Sequence, residues 1–332
     1  MGVFGVWRGL GMSAFLADIT QRDRDPARIA ATVIAGVCVG LVSSVACWIL
    51  VLVPYTFLVG LGGQGLLGLG KVALMFKDAD AHDLGITLLR LVESTATDGV
   101  FPLAFVSLAA TMTGRPFQHY VTAARRVRWR LLLAGLGLSC LAMSPLVLIG
   151  RMSLGGAPRP PMLGVAPDLA GRAVYLVAAL LLIPSAAAEE LMFRGWLMRQ
   201  LAAFTRRPGV LIFATAIAFS AAHLDFTPDA FLTRILMGAG FAYMALRLGG
   251  IELSTGAHAA NNILFILFIE PLGGGSAVSD VSSSLPFGDL GLVAGYIAVT
   301  EAIVRIAPLR RWAGVQAAEI AMPLAPAFAA VN

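Results

Sequence analysis

Residues 29–57 read IAATVIAGVCVGLVSSVACWILVLVPYTF, a stretch without one Asp, Glu, Lys or Arg. As an α-helix it is about 43 Å long, more than enough for the roughly 30 Å hydrocarbon core of a bilayer. A helix of that length in water would carry a polar face, whereas here only Thr32, Ser43, Ser44 and Thr56 interrupt the large aliphatic residues. Further apolar stretches follow at Leu84 to Met112, Leu131 to Gly150, Ala173 to Leu197, Val210 to Ala222, Ala230 to Leu246, Ile251 to Ile269 and Leu290 to Ile306. The pattern predicts an all-α, polytopic integral membrane protein with about eight transmembrane helices.

The composition of the 332 residues agrees, with 58% hydrophobic against 13% charged. A membrane barrel would need short strands of alternating polarity, and these runs are continuous and rich in Leu, Ala, Val and Gly. The net charge of +5 sits in short clusters between apolar runs, so it reads as an orientation signal, and no nucleic-acid partner is expected. With the N-terminus in the cytoplasm, seventeen Lys and Arg fall on the cytoplasmic side and five on the other, which places both termini there. Localisation in a bacterial inner or plasma membrane follows from that and from the Ala/Gly/Arg-rich composition. Cys38, Cys47 and Cys140 lie inside apolar runs without CxxC spacing and read as buried thiols.

Five segments are expected. Residues 1–28 form an N-terminal cytoplasmic or interfacial segment, in which Met1 to Ile19 reads as an amphipathic interfacial helix. Residues 29–170 hold three spans, 171–270 hold spans four to seven, 271–311 hold a loop and the last span, and 312–332 form an Ala/Pro-rich disordered tail. The loops Gly60 to Gly70 and Pro271 to Gly288 read as flexible. Arg90, Glu93 and Asp98 within span two read as an interhelical polar network, while Arg234 in span six is open between a partner for a site carboxylate and an interfacial position. His82 and His119 fall in loops and read as solvated.

Chemistry concentrates in three places. Glu189 and Glu190 interrupt span four, where an acidic side chain costs roughly 2.5–3.5 kcal/mol at the centre, so both must face protein or a polar cavity. Glu190 and Arg194 stand one turn apart and are spaced to pair, which leaves Glu189 about 100° round the helix as a carboxylate free to act as a base. Phe219 and His223 in span five, and His258 and Asn262 in span seven, repeat the i, i+4 spacing in otherwise apolar helices. Alone, each would read as helix glue or as an interfacial ion pair. Span five is short, and to bring His223 to the depth of Glu189 it must continue toward Phe226 or bend.

In order along the chain, Glu-Glu-x-x-x-Arg, Phe-x-x-x-His and His-x-x-x-Asn resemble the motif set of the CPBP family, which holds the type II CAAX prenyl endopeptidases and the bacterial Abi proteins. The resemblance covers spans four to seven. It implies an intramembrane endopeptidase in which Glu189 and His223 activate a water, His258 and Asn262 stabilise the oxyanion, Glu190 and Arg194 orient the site, and Phe219 packs beside it. The implied partner is a membrane-embedded or lipidated peptide. Whether a metal takes part stays open: Glu189, His223 and His258 would be the three ligands of a catalytic zinc, yet no HExxH helix is present, and the reading leans to no obligatory metal. The rival readings are a small-molecule transporter, for which internal repeats are missing, and a non-catalytic immunity or scaffold protein. No Gly-x-Ser-x-Gly or Gly-x-Gly-Asp signature points to a serine or aspartyl protease.

Overall fold

The computed structural model describes residues 14–58, 84–153, 169–268 and 286–315, with isolated positions between 63 and 71. Each of the eight apolar stretches is helical over most of its described residues. The chain runs through α1 (Pro26–Leu58), α2 (Leu84–Thr113), α3 (Trp129–Ser153), α4 (Leu169–Ala179), α5 (Leu182–Glu190), a π-helical segment (Leu191–Leu197) and α6 (Met198–Ala202). It continues through α7 (Pro208–Ala222), α8 (Pro228–Leu248), α9 (Glu252–Phe268), α10 (Pro286–Arg305) and α11 (Ala307–Ala313). Leu50 and Val42 of α1 are 71% and 68% exposed, so the most apolar helix turns its large side chains outward, as lipid allows and water does not. Among the described residues, Pro26–Phe57, Leu91–Thr113 and Pro228–Leu248 are long and apolar enough to cross a membrane alone. Gly288–Arg305 with Ala307–Ala313, bent by 96°, would make a fourth, and Trp129–Pro145 and Pro208–Ala222 are shorter apolar helices. The molecule is an all-α membrane protein.

Most of the two glycine-rich loops, the tail beyond Val315, His82, Lys77 and the Arg90 side chain lie outside the described residues. The described start of the tail is ordered: α11 ends at Gly314 in a left-handed cap, and Ala313 and Val315 are buried.

Span four is one broken rod. Pro184 has no amide hydrogen to give the Leu180 carbonyl, so the turn tightens there, the Ile183 amide bonds Leu180 at 3.0 Å, and α4 ends where α5 begins. Beyond Glu190 the pitch widens, and the Met198 amide bonds the Phe193 carbonyl five residues back. Span five does not extend as the depth argument required. It ends at Ala222, His223 caps it, and Leu224 takes a φ of +55°, which stops the helix.

Over its described part, from Ala14, the N-terminal segment is not the continuous helix expected. Ala14–Leu16 form a 3₁₀ turn whose Phe15 and Leu16 are buried in the core that also holds Tyr120, Trp196 and Met198. The buried Arg199 explains the docking, because its guanidinium donates to the Phe15 and His119 carbonyls and to Asp18. A second clamp joins Arg115 to Asp23 at 2.6 Å, and Thr20 and Asp23 cap the following turn reciprocally. His119 is exposed but not merely solvated, since its Nδ1 lies 3.0 Å from Asp18.

Burial pushes the Asp23 carboxyl up, but the Arg115 hydrogen bonds and the Thr20 amide outweigh it and leave the acid below its ordinary range. A depressed carboxyl contributes stability above its unfolded pKa of about 3.9 and loses it as the pH falls through the folded value. The segment should therefore undock as the pH drops below about 4, and pepsin cleavage at Phe15–Leu16 should accelerate over that window. In Arg115→Met the same cleavage should already be fast at the top of the window; equal rates in both proteins would show that the clamp does not hold the segment.

What positions the site is the contact of α3 with α9. A Cβ placed on Gly256 would collide with the Leu132 carbonyl oxygen, and one on Gly135 with that of Leu253, so two backbones touch where both helices lack side chains. Arg128 and Glu252 lock the end of the pair, with Arg128 Nη2 2.7 Å from Glu252 Oε2 and Nη1 donating to the Leu248 carbonyl at 2.8 Å. Gly256→Ala should cost about 1–3 kcal/mol of stability by overpacking. Gly137→Ala, where a Cβ meets nothing within 4 Å, should cost nothing. Melting temperatures of the two variants decide it.

Candidate active site

Glu189 and Glu190 sit at the end of α5, immediately before the π-helical segment. The adjacent carboxylates meet different surroundings. Glu190 is fully buried, and its Oε1 accepts from Arg194 Nη1 at 2.9 Å and faces His258 Nδ1 at 3.1 Å. Arg194, also fully buried, donates through Nη2 to the Gly238 carbonyl at 2.9 Å. Gly238 is glycine for reasons of space, since a Cβ there would press on Arg194 and on the Ala216 backbone at 3.1 and 3.2 Å. The guanidinium carbon lies 4.6 Å from the centroid of Phe219 and 5.6 Å from that of Phe241, so ring faces take the place of water around it.

His258 joins the two acids. A carboxylate can only accept, so Nδ1 of His258 is the donor to Glu190, and Nε2 is the nitrogen left to face Glu189, whose Oε2 lies 3.8 Å away. That gap is too long for a direct hydrogen bond. Glu189 is 18% exposed, in contrast to Glu190. Phe241 stacks on the imidazole at 5.1 Å and 21°, and Phe219 meets it edge-on at 5.4 Å.

The remaining expected residues differ in burial. Phe219 is buried, and its ring is flanked by both histidines, His223 at 4.8 Å and His258 at 5.4 Å. His223 is exposed, and its Nδ1 donates to the Phe219 carbonyl at 2.8 Å, which leaves Nε2 as an acceptor. It makes no ion pair with Glu189 within 4.0 Å. Asn262, one turn beyond His258, accepts from Asn261 through Oδ1 at 3.4 Å, so its amide nitrogen is the donor end. Arg234, left open by the sequence, pairs with Asp225 at 3.0 Å beyond His223 and not with a site carboxylate.

Among the described residues no cluster of three His, Cys, Asp or Glu side chains is arranged to hold a metal. Glu189, His223 and His258 do not converge as zinc ligands would, and the geometry gives no step through such an ion.

Sequence reasoning paired Glu190 with Arg194 alone and did not foresee the Glu190 to His258 hydrogen bond, the Gly238 carbonyl or the Phe241 stack. The first two are long-range partners without a local signal. Phe241 is one of three aromatics in its helix and carries no local signal either.

Residues 171–264 match the family model described as type II CAAX prenyl endopeptidase Rce1-like. A Bacillus subtilis (strain 168) protein described as uncharacterized protein YyaK is 30% identical over 164 residues, 47% of this chain and 53% of that one. The chain thus spans about half the length of this curated relative. No solved structure matches. The stretch that supplies Glu189, Glu190, Arg194, Phe219, His223, His258 and Asn262 is the stretch that matches the Rce1-like type II CAAX prenyl endopeptidases.

Proposed function

We infer that the protein is an intramembrane endopeptidase that hydrolyses a peptide bond in a membrane-embedded or lipidated substrate. One observation carries the reading: a half-shielded carboxylate, Glu189, faces the free nitrogen of His258, whose other nitrogen is held by a buried Glu190–Arg194 pair. A gap of this size between a base and an imidazole suits a bridging water or a substrate carbonyl better than a direct bond.

In the proposed reaction Glu189 accepts a proton from water, with His223 Nε2 as the second acceptor. The water oxygen bonds to the scissile carbonyl carbon, and the carbonyl oxygen becomes an oxyanion. His258, held through Nδ1 by Glu190, presents Nε2 to that oxyanion, and Asn262 donates its amide. As the C–N bond breaks, the proton held by Glu189 passes to the leaving nitrogen, giving a carboxylic acid and an amine. Preorganised donors in a dry site are worth about 3–4 kcal/mol each in such a step. Orientation follows the distribution of Lys and Arg, with both termini in the cytoplasm and the site toward the cytoplasmic half of the bilayer.

The test is turnover of hydrophobic and lipidated fluorogenic peptides by the purified protein. Asn262→Ala should lower kcat by about 10²–10³ with little change in KM, and His223→Ala should lower it by about 10² or more. A wild type that cleaves nothing in the panel, as a transporter or immunity protein would behave, overturns the reading. So does full activity in both variants.

A further inference from the structure

The last turn of α10 and the first turn of α3 meet at one end of the molecule, and α11 lies across the corner between them. α10 runs as an apolar rod to Arg305, where the chain turns by 96° into α11. A helix at nearly a right angle to a membrane-crossing one lies in the plane of the bilayer surface. Its place is fixed against the start of α3: Ala313 and Val315 are buried in the cluster that holds Leu131, and Arg130 Nη1 donates to the Trp312 carbonyl at 3.5 Å.

The outward side of this corner is amphipathic. Ile306, Leu309 and Trp312 recur every third residue and are 48%, 39% and 45% exposed, so α11 turns an apolar stripe away from the protein. Trp129 adds a second indole, 65% exposed, at the start of α3. Beside the stripe stand Arg130, Arg310 and Arg311, and Arg125 and Arg126 are exposed in the loop that leads into α3. The acids of these helix ends are already paired, Glu252 with Arg128 at 2.7 Å and Glu301 with Arg247 at 2.6 Å and Arg305 at 2.7 Å. Among the described residues Arg130 and Arg310 reach only backbone carbonyls, and no carboxylate pairs with either of them or with Arg311.

We propose that this corner binds the headgroups of anionic phospholipids, with Arg130, Arg310 and Arg311 on the phosphate oxygens and Ile306, Leu309 and Trp312 sunk into the interface below them. Two features select this occupant together. Guanidinium groups without a carboxylate call for phosphate oxygens, which they bind by paired hydrogen bonds. An exposed apolar stripe with two indoles, on a helix at right angles to a span, calls for the boundary between headgroups and acyl chains, which neither a dissolved anion nor a nucleic acid offers. Orientation by the distribution of Lys and Arg needs charge alone and accounts for neither the stripe nor the bend. The site is separate from the proposed hydrolysis and requires no peptidase activity.

The experiment uses the full chain in phosphatidylcholine vesicles doped with dibrominated phosphatidylglycerol or, in parallel, with dibrominated phosphatidylcholine. Quenching of Trp312 is read in each background as the difference from the same protein carrying Trp312→Phe. An arginine beside an anionic surface is worth about fivefold in affinity, so half-quenching should need about tenfold less phosphatidylglycerol than phosphatidylcholine, or better. Arg310→Gln with Arg311→Gln should bring the two lipids to within about threefold, and Arg311→Gln alone, at an exposed position, should lower the preference about fivefold. Arg22→Gln with Arg207→Gln removes the same charge from exposed positions elsewhere and should leave the preference intact. Excess inorganic phosphate should not compete, and melting temperatures confirm that each variant is folded. Equal quenching by the two lipids, equal loss of preference in the two double variants, or displacement by inorganic phosphate overturns the proposal, the last by making the corner a site for a dissolved anion.

Discussion

Glu189→Gln is expected to fold as the wild type does and to cleave peptide about 10³–10⁴-fold more slowly. The substitution keeps the shape of the side chain and removes only its capacity to take a proton. Glu189 makes no hydrogen bond shorter than its 3.8 Å approach to His258 Nε2, and it is the partly exposed member of the pair, so little stability rests on its charge. General-base catalysis contributes about 10²–10⁴, and loss of the water's position adds to that. The measurements are kcat on a fluorogenic peptide and the melting temperature in detergent. Activity within tenfold of wild type would remove Glu189 from the chemistry; a fall in activity matched by a fall in melting temperature would make it a structural residue.

Its neighbour should behave in the opposite manner. Glu190→Ala or Arg194→Ala is expected to destabilise the protein by about 3–5 kcal/mol, because each strands a fully buried charge. In Glu190→Ala the guanidinium keeps only the Gly238 carbonyl and the aromatic faces, and His258 loses the acceptor that fixes its Nδ1 proton. Removing both charges together, in Glu190→Gln with Arg194→Met, should cost less than either single truncation, since a neutral pair needs no solvation. A double variant as unstable as the sum of its singles would show that the two charges are not coupled. Any residual activity in Glu190→Gln tests the positioning role, because a freed imidazole should shift the pH profile of kcat even where the fold survives.

Much of the site was legible because carboxylates and imidazoles are expensive in apolar helices and must be there for a reason. Glu189, Glu190, His223 and His258 stood out on that ground, Arg194 and Asn262 by their i, i+4 spacing to Glu190 and His258, and the spacing of Glu190 to Arg194 gave their ion pair directly. The illegible parts are those settled by tertiary contact. Nothing in the local sequence says that Phe15 turns inward, and only the presence of Arg199 beneath it shows why. Span five ends at Ala222, where its apolar stretch ends, and the extension toward Phe226 that the depth of His223 called for does not occur, because Leu224 takes a positive φ that nothing in its residue type announces. Gly135 and Gly256 look like ordinary membrane glycines until α3 and α9 are known to be partners. The widened turn after Glu190 leaves no compositional trace, since any residue types can share a carbonyl five places away.

That widened turn bears on how the chain tolerates length changes. A stretch with a looser pitch holds one residue more than a regular helix would over the same rise, as an insertion does. Deleting a single residue between Leu191 and Gly195 should therefore leave a regular helix with Trp196, Met198 and Arg199 near their present faces, whereas a deletion in the regular turns of α5 would swing everything after it by about 100° and carry them off the faces on which the amino-terminal segment rests. The loose turn thus acts as slack between the acid pair on one side and the docking surface on the other, which the regular turns of α5 do not offer.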